Sequence, residues 1–370
     1  MSIDDNQYIK GIMETGFGLE YTVSKSLLQN GWTVINNKYY IDDVQGAARE
    51  IDILAYKVAL KKGILIYTVL IISCKKSSEN AWALLTKEKK QNDPNIDWNP
   101  VTIWSNEKII KLMLENYEWK SEYVNSSEKL DDLLFSPRKH IFAFQELSKK
   151  NGKPQNDKAI FNSVVSSMKS QNYEIESLVK RKKENSFYNF NLVSVVDGPL
   201  LRIDYDDIEP NIEHISTDIY VGSYIINRKE TLSRVHFITA KAFESCLPTY
   251  DMLHYHNIKQ AFSIYKKYFI DCIKDEKKIE LLLTEFNKSV RWEIYKVLRD
   301  QRNYKQIKDV TRIFWDSEKD RAAIIVDGVW EAEDLKALNY SIELGVVIKD
   351  ALKKIYQYEG AIFFDYDIPF

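Results

Sequence analysis

Ala48–Lys76 reads AREIDILAYKVALKKGILIYTVLIISCKK, and the fold follows from how this stretch is parsed. Over Arg49–Tyr56, Ile51, Ile53 and Ala55 alternate with Glu50, Asp52 and Leu54. That period of two belongs to a half-buried strand. Lys61-Lys62-Gly63 predicts a turn. From Ile64 to Ile72 the chain is apolar except at Thr68. A strand apolar on both faces belongs at the centre of its sheet, and the run is too short to span a bilayer.

Outward from this hairpin, Phe17–Asn30 predicts a helix stopped by Asn30-Gly31, and Trp32–Asn37 a short strand. Ser77-Ser78-Glu79 predicts the start of a second helix, with hydroxyls to cap it and an acid in its first turn. The expected order is α-β-β-β-α, an α/β core with a mixed sheet flanked by helices. Asn92–Pro100 (NDPNIDWNP) is the densest turn signal and is expected to close this core. A helix near Asn106–Trp119 and a strand at His140–Leu147 follow. The polar stretch Ser148–Asp157 (SKKNGKPQND) is the expected domain boundary.

The second half restarts with a helix over Lys158–Lys183. Strands are expected at Asn189–Val196, Leu200–Tyr205, Thr217–Asn227 and Arg234–Thr239, then helices from Ala242 to Asp300. A strand at Arg321–Val326, a helix near Ala332–Tyr356 and a last apolar strand before Pro369 complete the reading. Two domains are expected, 1–150 and 151–370. The second is α+β, read as a sensor, partner-binding or oligomerisation domain, with a degenerate repeat of the first as the alternative.

Of 370 residues, 45% are hydrophobic and 29% charged, with only 12 glycines and 8 prolines. Such a chain has ample apolar surface to bury and little room for flexible linkers. Lys+Arg 52 against Asp+Glu 54 gives a net charge of −2, which lends no support to a whole-protein polyanion binder and leaves a local basic patch open. Cys74, Cys246 and Cys272 are far apart and form neither a disulfide framework nor a CxxC knuckle. The first residues, MSIDDNQYIK, are acidic and polar, unlike a signal peptide, so a cytoplasmic protein without membrane attachment is expected. No Walker A, GxGxxG, HExxH or GxSxG pattern occurs, so nucleotide-driven motors and Rossmann oxidoreductases have no positive support.

Metal-dependent phosphodiester cleavage needs carboxylates to hold the ion, a group to position water and positive charge near the scissile phosphate. Asp52 on one strand and Ser73-Cys74-Lys75 at the end of the next provide such a set. Ser73 and Lys75 share a strand face, as do Glu50 and Asp52. On the first helix, Phe17, Leu19, Tyr21, Val23, Leu27 and Leu28 spread over one broad arc, and Glu20 falls inside it. A carboxylate there is costly unless a cation meets it.

GFGLEYTVSKSLLQNGW, AAREIDILAYK and LIISCKKSSENAW together resemble the PD-(D/E)xK restriction-endonuclease-like superfamily, in its Mrr-like and Holliday-junction-resolvase-like branch. The resemblance covers about the first quarter of the chain. It implies an αβββα nuclease core, and an endonuclease cleaving DNA, with RNA as the alternative substrate. Asp52 and Glu20 would hold Mg2+ or Mn2+, with the Cys74 backbone carbonyl as a further ligand and Glu50 as an additional one. Lys75 would be the catalytic lysine, and Lys75 with Lys76 would contact nucleic acid. By analogy, a restriction or anti-phage effector is implied, a homo-oligomer whose second domain takes a protein partner or signal ligand.

Ser73 stands where the superfamily has Asp or Glu, and a hydroxyl is a weak Mg2+ ligand. Three readings follow. The site works with Asp52, Glu20 and the Cys74 carbonyl; or Glu50 or Glu79 replaces the missing charge; or the site has decayed and the fold binds nucleic acid or assembles without catalysis.

The plain readings weigh against these. Glu50 reads first as a partner of Arg49 or another cation, Glu79 as a helix-start acid, and Cys74 as a small buried residue. Lys180-Arg181-Lys182-Lys183 ends a helix, where cations are favourable in any case. Asp251, His254 and His256 lack zinc spacing and read as packing. Asp197-Gly198 and Asp327-Gly328 read as turns, and Thr239-Ala240-Lys241 as a strand end without acids.

Overall fold

Lys62 and Gly63 both have left-handed φ, 48° and 77°, in a two-residue turn closed by the Lys61↔Ile64 pair. Positive φ at both central residues is the type I′ geometry, whose twist matches that of the flanking strands. The computed structural model describes residues 5–42, 46–116, 118–206, 209–302 and 306–366, with the backbone alone at 301–302. The chain divides into two compact units, Met1–Ala261 and Phe262–Phe370.

The first unit opens with helices α1 (Asp5–Met13) and α2 (Phe17–Gln29). Strands β1 (Thr33–Ile41), β2 (Ala48–Lys61) and β3 (Ile64–Lys76) follow as an antiparallel meander. The expected helix at Ser77 does not form. The chain instead enters strand β4 (Asn80–Lys87), whose residues are buried on both faces. Without a period of two, that run cannot be told from a buried helix by pattern. Then come β5 (Thr102–Ser105), the short helices α3 (Lys108–Leu114), α4 (Glu118–Asn125) and α5 (Glu128–Leu130), and β6 (His140–Ser148).

Helix α6 (Lys158–Arg181) leads into β7 (Ser186–Asp197), which lies parallel to β3 from Leu65↔Ser186 to Lys76↔Asp197. After it come β8 (Leu200–Asp204), β9 (Asn211–Ile215), β10 (Thr217–Ile226), β11 (Lys229–Thr239) and helix α7 (Phe243–Phe269). The main sheet runs β1-β2-β3-β7-β11-β10, with β5 also on β7, and a second sheet runs β6-β4-β8-β9. The expected α-β-β-β-α succession therefore holds only as far as α2-β1-β2-β3; what stands of the expectation is an α/β unit with mixed sheets flanked by helices. Strands from both sides of Ser148–Asp157 share a sheet, so that stretch is a surface turn within one unit rather than the expected boundary.

Both faces of the main sheet are covered. Leu19, Val23 and Leu27 of α2 pack with Ile53, Ala55, Leu70, Ile72 and Cys74 on one face. Ile160, Val164 and Met168 of α6 pack with Leu54, Val69, Ile71 and Leu192 on the other. This is the layering expected of an α/β unit.

The second unit holds helix α8 (Glu276–Arg302), strands β12 (Val310–Asp316) and β13 (Arg321–Val326), helices α9 (Ala332–Tyr340) and α10 (Ile342–Tyr356), and strand β14 (Ile362–Asp365). Its sheet runs β12-β13-β14. Ser341 ends α9 and caps α10 through Leu344, which splits the single helix expected there. Among the described residues no helix is long and apolar enough to cross a membrane.

Candidate active site

Pairing of β2 with β3 stops at Ile53↔Ile72, whereas β3 stays paired with β7 to Lys76↔Asp197. The two strands therefore fork at Asp52 and Ser73. Asn37, with φ 54°, lies opposite Asp52 in the β1–β2 register and is left out of the ladder. Asparagine tolerates the left-handed region better than most residues.

The carboxylate of Asp52 fills the fork. Its Oδ2 accepts the backbone N–H of Cys74 at 2.7 Å, the Ser73 hydroxyl at 3.3 Å and the Lys75 ammonium at 3.3 Å. An amide freed by the divergence of β2 thus finds a charged acceptor, a stronger bond than the ladder bond it replaces. In an extended strand the N–H and C=O of one residue leave on the same side. The Cys74 carbonyl is therefore also directed at the fork.

Glu20 reaches the same place from α2. It is half-buried, and its carboxyl is raised above the ordinary range by burial first, then by the charges of Asp52 and Glu50, with Lys75 acting against them. Three carboxylates from two elements thus share one neighbourhood. The reason for Glu20's placement differs from the expected one. Phe17, Tyr21 and Leu28 of the proposed apolar arc are 59–69% exposed, and the buried face carries Leu19, Val23, Ser24, Ser26 and Leu27. Glu20 lies one turn before Ser24, whose hydroxyl donates to Asn36 Oδ1 at 2.7 Å.

Glu50 is exposed and accepts a hydrogen bond from Asn37 Nδ2. Asn36 and Asn37 were not legible as site residues; two adjacent asparagines inside a strand were the available signal. Glu79 starts no helix and is exposed in a bend outside the site. Lys76 directs its ammonium to the carbonyl of Met13, the last residue of α1, where the helix dipole favours a cation. Cys74 is buried and its thiol is pushed well up, by burial first and then by Asp52, which keeps it from acting as a nucleophile.

The remaining singled-out residues lie elsewhere. His254 Nδ1 bonds Thr68, His256 bonds the Tyr123 carbonyl and Asp251 pairs with Lys57 at 2.6 Å, so these three are packing groups. Thr239 pairs with Val196, which also faces Lys75, so β3, β7 and β11 end on one rim. Such carboxyl ends of parallel strands are where open α/β sheets carry ligands.

Among the described residues no three His, Cys, Asp or Glu side chains close into a metal cage. The donors at the fork nevertheless fit a hard divalent cation. They are carboxylates with a carbonyl and a hydroxyl beside them, and Glu20 bears the repulsion a cation would relieve. Mg2+ commonly takes only one or two protein carboxylates and keeps several waters. No protein-family model, curated protein or solved structure matches the chain.

Proposed function

We propose that the fork between β2 and β3 is the active site of a Mg2+- or Mn2+-dependent endonuclease acting on DNA. The observation that carries the reading is Asp52. Its carboxylate is held by the Cys74 amide, lies against the Lys75 ammonium, and is close enough to Glu20 to raise that carboxyl. A carboxylate pair with a lysine at a strand end is the donor set that phosphodiester hydrolysis requires. The resemblance in the first quarter of the chain supports the same assignment.

Asp52 and Glu20 would hold the ion, with the Cys74 carbonyl beside them. When bound, the ion supplies Lewis-acid charge at the scissile phosphate and lowers the pKa of coordinated water. The Lys75 side chain is 31% exposed, so it stays available to a phosphate while its backbone is fixed in β3. Its charge orients the attacking water and stabilises the negative charge that develops on the phosphate oxygens. Glu50, fixed by Asn37, supplies the negative charge that Ser73 lacks. A restriction or anti-phage role follows by analogy of architecture alone.

The test is cleavage of supercoiled plasmid with and without Mn2+ by wild type and Asp52→Asn. Metal-dependent cleavage lost in the variant supports the reading; no cleavage, or equal cleavage by both, removes it. A second reading has its own observation. Ser73 stands where the metal-binding acid would be, and it and Lys75 both donate to Asp52 Oδ2, an arrangement that suits a decayed site retained for nucleic-acid binding or assembly. DNA retention with no Mn2+ binding would favour it.

A further inference from the structure

Every residue from Asp5 to Glu14 is exposed, yet α1 carries four large apolar side chains. Tyr8, Ile9, Ile12 and Met13 fall within an arc of about 140°, at about 100° per residue. A stripe of that width is the side a helix turns towards a core. In the single chain it meets solvent, and its four members are 58–61% exposed. Helices shorter than about 12–15 residues are marginal in water without packing, and α1 has nine residues. Its C-terminal end is anchored by Lys76, which donates to the Met13 carbonyl. The apolar side along its length has no cover of that kind.

The stripe continues onto α2. The Met13 sulfur lies over Gly18, 3.8 Å from where a Cβ would stand. Beside Gly18, Phe17 and Tyr21 are one helical turn apart and as open as the α1 side chains. Six large side chains, each more than half open, present on the order of 100 Å2 apiece, or about 600 Å2 together. That is the upper end for one patch on a monomer, about 300–600 Å2. A standard protein interface takes about 800 Å2 from each partner, a little over half of it apolar. The stripe therefore supplies the apolar share of one side of such an interface. The charges of α1 and its end are Asp5, Lys10 and Glu14, one cation against two acids. Nucleic acid and anionic membrane surfaces favour a basic excess, which this face lacks.

We propose that a second copy of this chain covers α1 and the start of α2, with the two stripes facing each other across a twofold axis. An isologous contact is self-complementary by symmetry. One apolar stripe then meets an equal one, and each α1 gains the packing that it lacks alone. The proposal rests on exposure and area at this face, and it holds whether or not the fork cleaves DNA.

The test is sedimentation equilibrium of the full chain, free of nucleic acid, from about 0.1 to 100 µM. Twice the chain mass of 43.4 kDa is expected, with a dimer constant of about 1 µM or tighter. Two double variants, Ile12→Lys with Phe17→Lys and Tyr8→Lys with Ile9→Lys, change only exposed positions. Each should weaken the dimer about thirtyfold or more, as loss of a central anchor does, with thermal melting checking the fold. Ile342→Lys, at a position 85% exposed in the second unit, should leave the constant unchanged. Hydrogen exchange reads the face directly. At about 50 µM, amides of residues 5–14 should exchange about tenfold or more slowly in wild type than in the double variants. A monomer at every concentration overturns the proposal. So does a dimer that the folded double variants keep at the wild-type constant, or one that Ile342→Lys disrupts in their place.

Discussion

Asp52, one residue beyond the last paired position of β2, accepts at its Oδ2 the backbone N–H of Cys74, two residues beyond that of β3, at 2.7 Å. The residue assigned to hold a metal is therefore also the residue that closes the fork.

Asp52→Ala and Asp52→Asn should part company for that reason. Alanine leaves a sheltered amide without its acceptor, at a cost of about 1–3 kcal/mol. Asparagine keeps an acceptor oxygen and loses only the charge. Urea unfolding should find the asparagine variant within about 1 kcal/mol of wild type and the alanine variant clearly below it. Mn2+-dependent cleavage should fall by more than about a hundredfold in both. Equal unfolding midpoints for the two variants would show that the Cys74 bond contributes nothing.

Glu20 gives a pH signature. Its carboxyl is raised by burial and by Asp52 and Glu50, so the folded state prefers its protonated form. Its charge therefore weakens the fold above the raised pKa, and the penalty fades as pH falls through that value towards the ordinary range. Glu20→Gln should melt above wild type at pH 7.5 and level with it at pH 4. Mn2+ should raise the melting temperature of wild type and have little effect on the variant. A variant less stable at pH 7.5 would contradict the repulsion.

Ser73 is 5% exposed and touches Asp52, so Ser73→Glu places a new carboxylate in a sheltered position beside existing ones. Without metal the variant should lose roughly 3 kcal/mol, as an unpaired buried charge does. Mn2+ should restore part of it, while cleavage falls because Glu20 and Glu50 already occupy the neighbourhood. Cleavage at or above the wild-type rate would mean that the site lacked a ligand after all.

Gly198 tests the rim. A Cβ there would stand 2.8 Å from the Ser77 carbonyl oxygen and 3.0 Å from its Cβ, and Ser77 N–H donates to Asp197 at 3.0 Å. Gly198→Ala must push apart the backbone two residues beyond Lys75. A loss of about 1–3 kcal/mol by urea unfolding is expected, with reduced cleavage at temperatures where the variant is folded. An unchanged midpoint would mean the exit of β3 yields freely.

Elements whose partners are near in the chain are encoded locally. The β2–β3 hairpin follows from its alternation and its two-residue turn, and that register brings Asp52 to Lys75 whatever surrounds them. Helix α2 and the central position of β3 were legible for the same reason. Features that depend on distant partners emerge only when the chain is folded. The Ser77-Ser78-Glu79 signal for a helix lost to β4, because Asn80–Lys87 gains two strand neighbours, β6 and β8, that no local pattern announces. The turn-rich Ser148–Asp157 stretch is a loop inside one unit because β7 pairs with β3 across more than a hundred residues, and parallel pairing leaves no signature in the intervening chain. The nearness of Glu20 to Asp52 belongs to the same class. It is set by where a helix is laid across a sheet, and side-chain spacing along the chain does not encode that.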